Sequence, residues 1–391
     1  MTAKWAQQDW EDDGSPIEIG GVMITVPDLR RSYHTFRGMQ PKLRDQQYES
    51  IRSRQLAADA EDQLVASMSR DTRRRFETSK ALSLKEAEPD DLMYIHSVLA
   101  LCGLPYREQH DVRSWTKEYG RSTLHLMAGK LKDPQSLKMV DQPLPYGPKA
   151  RLLLIHICSE AIRTRSNEVE MADSMTAFIR DLGFPVTGGA KGTILPFKRQ
   201  LHALAACQMQ IGLYSGNKTS TLNAPPFRQI DVWLPENPDQ KVLWPSKVTL
   251  DDIFFRTLKD HALPVDVRSL KAVQGSSRKI DLLFWLGYRT RNLENPIKLD
   301  WSMIQRQFGG DNAVMRSFRT EFKKDIGHIL ELYPTLRVDV STAGMVIYPS
   351  TTGLVPAKRI ATLPAPAKSK AAKPAEAKAP KRRTERRRVT K

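Results

Sequence analysis

The strongest constraint on this chain is an order of elements that occurs twice. An apolar helix ending in Ile162-Arg163-Thr164-Arg165 leads into a short strand, an amphipathic helix, a glycine turn, a basic amphipathic helix and a strand hairpin. The same order returns after Tyr288-Arg289-Thr290-Arg291. Helix–strand–helix–helix–hairpin is the order of a winged helix-turn-helix, whose third helix usually enters the major groove of duplex DNA. Two copies predict an α+β, mainly helical protein that grips two successive segments of a duplex.

The pattern divides the 391 residues into four parts. Residues 1–89 read as a charged, partly disordered extension; its helical stretch Leu43–Glu86 carries Arg73-Arg74-Arg75 but few apolar residues. Residues 90–235 form the first winged-helix domain. It opens with a helix over Leu92–Leu101 capped by Asp90-Asp91, then strands over Ser122–Met127 and Leu137–Val140, and a first repeat over Gly147–Trp233. Residues 236–350 hold the second. A proline-bearing linker (Leu234–Pro245) leads to a helix over Thr249–His261, capped by Thr249 or Asp251, and a second repeat over Asp266–Pro349. Residues 351–391 collapse to Ala, Lys, Pro and Arg, a composition that cannot bury enough apolar surface to fold.

Charge placement matters more than its total. Residues 357–391 contribute +11 of the net +17, leaving the rest of the chain at +6. The case for nucleic acid therefore rests on where cations sit. Cys102, Cys158 and Cys207 are far apart, without a C-x-x-C pair, and read as core thiols in a reducing compartment. No apolar run approaches the roughly 20 residues a bilayer requires. Met1–Gly14 lacks a basic start followed by an apolar stretch, so a cytoplasmic protein with no membrane partner is expected.

The two basic helices carry the functional signal. Over Thr193–Gln208, a core face of Ile194, Phe197, Leu201, Leu204, Ala205 and Gln208 lies beside a stripe holding Lys191, Leu195, Lys198, Arg199 and His202. In the second repeat, Met315, Phe318, Phe322, Ile326 and Ile329 face the core. Arg316, Arg319, Thr320 and Lys323 turn away by the same angle. Superposing the faces sets Lys198 on Arg319 and His202 on Lys323. Arg and Lys suit guanine O6 and N7, and Thr suits phosphate or a thymine methyl. The competing reading is a solvated helix face.

Gly183 and Gly188-Gly189 precede the first basic helix, and Gly309-Gly310 the second, as tight helix–helix corners require. Gly188-Gly189-Ala190-Lys191-Gly192-Thr193 lacks the G-x-x-x-x-G-K-[ST] spacing of a phosphate loop, and no cofactor is expected. Wings are expected from Met209–Tyr214 with Gln229–Trp233 around Gly216-Asn217-Lys218, and from Leu336–Val340 with Met345–Tyr348 around Ala343-Gly344. Lys218, Arg228 and Arg337 would then reach phosphate, unless these are packing hairpins. Arg163, Arg165, Arg289 and Arg291 sit at helix ends, where they complement the helix dipole or contact phosphate. The arginine-rich tail through Arg386-Arg387-Arg388 would attract phosphates without sequence preference, or merely solubilise.

Signs of catalysis are missing from the sequence. The eight histidines are scattered, with no His-x-His pair and no H-E-x-x-H, and no acidic pair flanks a candidate nucleophile. A non-enzyme without a metal is the expectation.

A run of short motifs resembles the plasmid-encoded RepA-type replication initiators. It comprises Leu104-Pro105-Tyr106-Arg107, Leu144-Pro145-Tyr146-Gly147-Pro148-Lys149, Glu160-Ala161-Ile162-Arg163-Thr164, Thr187-Gly188-Gly189 and Gly192-Thr193-Ile194. It continues with Leu243-Trp244-Pro245-Ser246, Pro264-Val265-Asp266-Val267-Arg268-Ser269-Leu270-Lys271, Asp281-Leu282 and Trp285-Leu286-Gly287-Tyr288-Arg289. The resemblance covers about Asp90 to Ser350. It implies binding to repeated sites in duplex plasmid origin DNA, origin opening and recruitment of host replication proteins, and it is compatible with a homodimer. A transcriptional repressor or partition protein with the same units, and a nicking initiator enzyme, are the alternatives.

Overall fold

The computed structural model describes residues 13–120, 122–133, 136–187, 192–215, 218–223, 225–230, 247–291, 293–310, 314–350 and 354. About half of them are helical in a mixed α/β fold. The chain divides into two compact units. One joins the N-terminal segment up to Asp91 to Val265–Pro356, and the other contains Leu92–Pro264. The expected linker Leu234–Pro245 and the basic tail lie outside the described residues.

The N-terminal segment holds β1 (Ile17–Ile19), β2 (Val22–Ile24), α1 (Pro27–Phe36), α2 (Pro41–Ser67) and α3 (Arg70–Leu84). Strands and helices close a small core of Ile19, Ile24, Leu29 and Ile51. Gln55, buried beside it, is fully used: its Oε1 accepts from Thr25 N at 3.0 Å and Val26 N at 3.1 Å. Its Nε2 donates to Thr25 Oγ1 and Asp59 Oδ1, each at 2.8 Å.

The second unit follows with β3 (Leu92–His96), α4 (Ser97–Cys102), β4 (Ser114–Tyr119), β5 (Ser122–Met127), β6 (Lys130–Lys132) and β7 (Met139–Asp141). The helix expected over Leu92–Leu101 is thus corrected to a strand followed by a helix. All five residues of β3 are buried, and a short, wholly buried apolar run shows neither period. His96 Nδ1, rather than Asp90 or Asp91, caps α4 by accepting from Val98 N at 3.2 Å.

Next come α5 (Gly147–Thr164), β8 (Glu168–Glu170), α6 (Ala172–Asp181), α7 (Ile194–Ala206), β9 (Gln208–Ser215), β10 (Lys218–Asn223), β11 (Phe227–Ile230), β12 (Lys247–Leu250), α8 (Asp252–His261) and β13 (Ala262–Asp266). Being apolar nearly all round, α5 is the buried axis of this unit and packs on β3 and α7. The two Leu-Pro-Tyr motifs, Leu104-Pro105-Tyr106 and Leu144-Pro145-Tyr146, meet at its start. Buried Arg151 donates to the carbonyls of Leu104 (2.6 Å), Pro105 (3.2 Å) and Gly147 (2.9 Å), while Gly147 N donates to Pro105 O at 3.0 Å.

Two expectations change here. The helix expected from Thr249 begins at Asp252, because Lys247–Leu250 is a strand; Asp251 caps it, accepting from Ile253 N and Phe254 N. The hairpin expected from Met209–Tyr214 and Gln229–Trp233 does not form. β9 pairs with β10 and β5 in the order β10-β9-β5-β4, whereas β11 joins a separate sheet ordered β11-β12-β8. Gln210 faces His125 of β5, and Gln229 faces Thr249 of β12. A hairpin that adds strands to a neighbouring sheet leaves no trace in local sequence.

The second repeat consists of α9 (Val267–Val273), α10 (Ser277–Thr290), β14 (Ile297–Asp300), α11 (Trp301–Phe308), α12 (Met315–Leu332), β15 (Val338–Val340) and β16 (Gly344–Ile347). Its sheet runs β14-β16-β15, so the last strand inserts between the first and the second. In the first repeat β8, β12 and β11 take the same three places. The β9–β10 hairpin is therefore an insertion, and the connection between β11 and β12 (residues 231–246) lies outside the described residues. At Gly344, φ is +156°, and an added Cβ would lie 2.0 Å from Leu299 O, so only glycine lets β16 approach β14. Trp285, Phe308, Phe318 and Phe322 fill the core with edge and tilted ring contacts at 5.3–5.7 Å.

The RepA-like motif at Asp266 ties α3 into this unit. Arg268 holds the Asp266 carboxylate with Nε and Nη2, and donates to Ala81 O at 2.8 Å and Lys85 O at 2.9 Å. Arg74 donates to Lys271 O at 3.0 Å, and Arg75 pairs with Glu331. The charged helical stretch expected over Leu43–Glu86 is formed by α2 and α3, and α3 is anchored by arginines bonded to backbone carbonyls; residues 1–12 lie outside the described residues. No apolar stripe announces such an anchor.

Candidate nucleic-acid interface

Helix α12 is amphipathic in the way its sequence requires. Phe318, Phe322, Asp325, Ile326, Ile329 and Leu332 are buried. Two of its three acidic side chains are engaged by α10: Arg278 binds Asp325 Oδ2 at 2.5 Å and Glu321 Oε2 at 3.1 Å, while Glu331 pairs with Arg75 of α3. Arg316, Arg319, Thr320 and Lys323 are all exposed, so the outward face is cationic without a carboxylate among these four. Thr320 Oγ1 donates back to Arg316 O at 3.2 Å.

One residue outside the basic stripe organises this face. Trp301, the first residue of α11, is 3% exposed and touches Phe322 edge-on at 5.9 Å. Above its indole lie the Arg319 guanidinium at 5.3 Å and the Lys323 ammonium at 6.0 Å. Stacking on an aromatic face restricts both side chains and orients their charges. Trp301 Nε1 donates to Ser341 O at 3.3 Å, which links the cationic face to the β15–β16 turn. The signal was available: Trp301, Ile304 and Phe308 have helical spacing directly after the capping Asp300.

The first repeat is built differently. On α7, Arg199 is exposed, but Lys198 and His202 are half-buried. Burial lowers the pKa of both, and for His202 the Lys198 charge adds to the effect. His202 is therefore a neutral imidazole at neutral pH. Gln200, buried on the same helix, accepts from Tyr146 N at 2.8 Å and fixes α7 against the start of α5. At the other end of α7, a Cβ on Gly129 would sit 2.1 Å from Ala206 O, which locks the approach to β6. Ala205 is half-buried, and Gln208, expected on the core face, is exposed at the start of β9. Lys191 lies outside the described residues.

The arginines at helix ends and hairpins separate into kinds. Arg163 binds Glu160 at 2.6 Å and Leu92 O at 2.9 Å, a bridge from α5 to β3. Arg165 ends α5 in the left-handed region (φ 55°), exposed. Arg228 is exposed but paired with Asp252 at 3.1 Å. Arg289 is half-buried over Trp285 at 5.5 Å, and burial lowers its pKa. Arg291 is exposed at the end of α10, and Arg337 is exposed with its guanidinium 5.3 Å from the Tyr348 ring. Lys218 belongs to β10, but its side chain is outside what the structure describes, as are Gly188-Gly189 and Gly216-Asn217.

Among the described residues, no three His, Cys, Asp or Glu side chains converge as a metal site. No described helix is long and apolar enough to cross a membrane. The three cysteines are buried and free, with burial raising each thiol to about 12.

No curated protein matches the sequence. Among solved structures, the selenomethionine crystal structure of domains 2 and 3 of RctB aligns with a TM-score of 0.39 at 11% identity, covering 65% of this chain and 99% of that one. A second crystal structure of RctB domains 2-3 aligns with a TM-score of 0.40 at 10% identity, covering 64% of this chain and 95% of that one. A family model matches from the buried start of α5 to β14. Over residues 144–299 the chain matches the family model described as plasmid encoded RepA protein.

Proposed function

We propose that this protein is a plasmid replication initiator whose two repeats are winged helix-turn-helix units that bind repeated sites in duplex origin DNA. The observation that carries the reading is the α12 face, where Arg316, Arg319, Thr320 and Lys323 are exposed together and two of the cations lie on Trp301. The strand orders β14-β16-β15 and β8-β12-β11 support the winged-helix assignment, since each places the last strand between the other two. α12 would read the major groove of one segment. On α7, exposed Arg199 would make the main contact, with half-buried Lys198 and neutral His202 beside it. Arg337 would meet phosphate beside the β15–β16 turn. Bending shared between the two grips would favour opening of an adjacent A·T-rich stretch. Host replication proteins would then be recruited in the cytoplasm, with no catalytic step by this chain.

Footprinting on the DNA flanking its own gene tests the reading. Protected direct repeats are expected with the wild type and should vanish in an Arg316→Ala, Arg319→Ala, Lys323→Ala variant. Each lost phosphate contact should flatten the slope of log K against log salt by about 1. A footprint unchanged in the variant would remove α12 as the reader. Maintenance of an origin-less vector carrying the gene and its flanks separates an initiator from a repressor. Permanganate-sensitive thymines in the bound origin report opening, and a fully paired bound origin would refute it.

A further inference from the structure

The α1–α2 hairpin ends in a cluster of side chains that its packing does not require. Three layers run along it. Leu29 of α1 and Ile51 of α2 are buried in one core. One turn on, Tyr33 and Tyr48 stack with ring centroids 4.9 Å apart, and their hydroxyls are hydrogen-bonded. Arg37 follows Tyr33 by four residues towards the connecting turn, and Arg44 precedes Tyr48 by four, so each arginine shares a helix face with its tyrosine. The third layer therefore sets two guanidiniums against each other beside the tyrosine pair. Burial raises the Tyr48 phenol, while the charges of Arg44 and Arg37 both pull it down, which puts both within electrostatic reach of one hydroxyl. The positive charge at this end is largely uncompensated. Residues 29–44 hold five Lys/Arg, among them the exposed Arg37 and Lys42, and no Asp or Glu. Asp45, the next carboxylate in sequence, reaches Arg44 Nε only at 3.7 Å and is itself exposed. Opposed like charges weaken a helical hairpin, so core packing leaves this layer unexplained.

We propose that Arg37, Arg44 and the Tyr33–Tyr48 hydroxyl pair form a phosphate-binding site that grips the DNA backbone, a contact additional to those of the two repeats. This inference rests on the DNA-binding reading given above. Each guanidinium presents a fork of N–H donors, and the tyrosine pair keeps one hydroxyl hydrogen after its internal bond. Arginine and tyrosine hydroxyls are regular partners of backbone phosphate, and they fix register without reading sequence. An anion between the two arginines would turn their repulsion into a clamp. Lys42 extends the cationic surface past the pair, which suits a ligand with charges at repeated intervals, as a DNA strand has. The hairpin belongs to the same compact unit as α12.

Phosphate-ethylation interference with the full-length protein on its footprinted duplex tests the site. Wild type should show a phosphate, or an adjacent pair, whose ethylation blocks binding and whose effect disappears in an Arg37→Gln, Arg44→Gln variant. The slope of log K against log salt should flatten by about 1 for each phosphate lost. Base protection that depends on Arg316, Arg319 and Lys323 should remain. An Arg37→Lys, Arg44→Lys variant keeps the charge and should keep the slope. Without DNA, the glutamine variant should unfold at or above the wild-type temperature, because two opposed like charges are gone; a damaged fold cannot give that result together with a lost phosphate. An interference pattern and slope unchanged in the glutamine variant overturn the proposal. With that unchanged pattern, inorganic phosphate that stabilises wild type but not the variant would make the ligand a free phosphate. Failed plasmid maintenance by the variant, again with an unchanged pattern, would assign the hairpin to an acidic protein partner. If protection still depends on α12 in those cases, DNA binding stands and only the hairpin contact falls. A wild type without a discrete footprint overturns both.

Discussion

Acid should destabilise the unit containing α5 long before its carboxylates are protonated. Two histidines are buried there in neutral form. His96 lies between strand and helix, its Nδ1 accepting from Val98 N, its ring stacked on Phe254 at 5.7 Å and tilted against His261 at 5.9 Å. His156 stacks on Phe178 at 4.6 Å. Burial lowers each to about 3, with His261 and Arg163 respectively adding repulsion. In the unfolded chain both titrate near 6.5. Their contribution is thus complete above about pH 6.5 and is lost as the pH falls towards 3, because the unfolded state takes up protons that the folded state refuses. At about pH 5 each histidine costs about 2 kcal/mol, from 1.36 kcal/mol per unit of pH below 6.5. Together they remove about 4 kcal/mol, a large part of the 5–15 kcal/mol typical of a domain. Urea unfolding followed by circular dichroism at about pH 7.5 and pH 5 measures the loss. His156→Phe, which keeps a ring on Phe178, should give back about half of the pH dependence. Equal stability at the two pH values, or an undiminished slope in His156→Phe, would refute the neutral burial of these rings.

Three further outcomes follow from single contacts. Gly344→Ala should force β16 from β14, since the new Cβ meets Leu299 O at 2.0 Å; hydrogen exchange should rise across β14, β15 and β16, and thermal stability should fall. Arg165→Gly should stabilise by up to about 1 kcal/mol, because the left-handed backbone at the end of α5 costs a non-glycine residue about 1–2 kcal/mol and the extra freedom of glycine in the unfolded chain offsets about 0.4–1 of it, measured by urea midpoint. A simultaneous loss of origin affinity would assign its guanidinium to phosphate. Trp301→Phe should retain the fold but weaken origin binding, since it deletes the bond to Ser341 O and thins the surface under Arg319 and Lys323; undiminished affinity would remove Trp301 as a positioning residue.

The sequence alone determined what local chemistry can write. The apolar run of α5, a cap for α8 at Thr249 or Asp251, the strand over Ser122–Met127 and the outward stripe Arg316, Arg319, Thr320 and Lys323 all follow from residue types and spacing along one element. Where side chains act across distant segments, only the tertiary structure decided. Spacing cannot reveal that β11 leaves β9 to pair with β12, because strand partners are chosen by whole-sheet burial. It cannot reveal that Lys198 and His202 lose solvent while Arg319 and Lys323 keep it, because burial of a helix flank depends on what packs beside it. Arg73-Arg74-Arg75 reads as free charge in sequence, yet Arg74 and Arg75 fasten α3 to α9 and α12. The same physics explains both halves: periodicity fixes which face of an element is apolar, and only the assembled neighbours fix which charges remain in water.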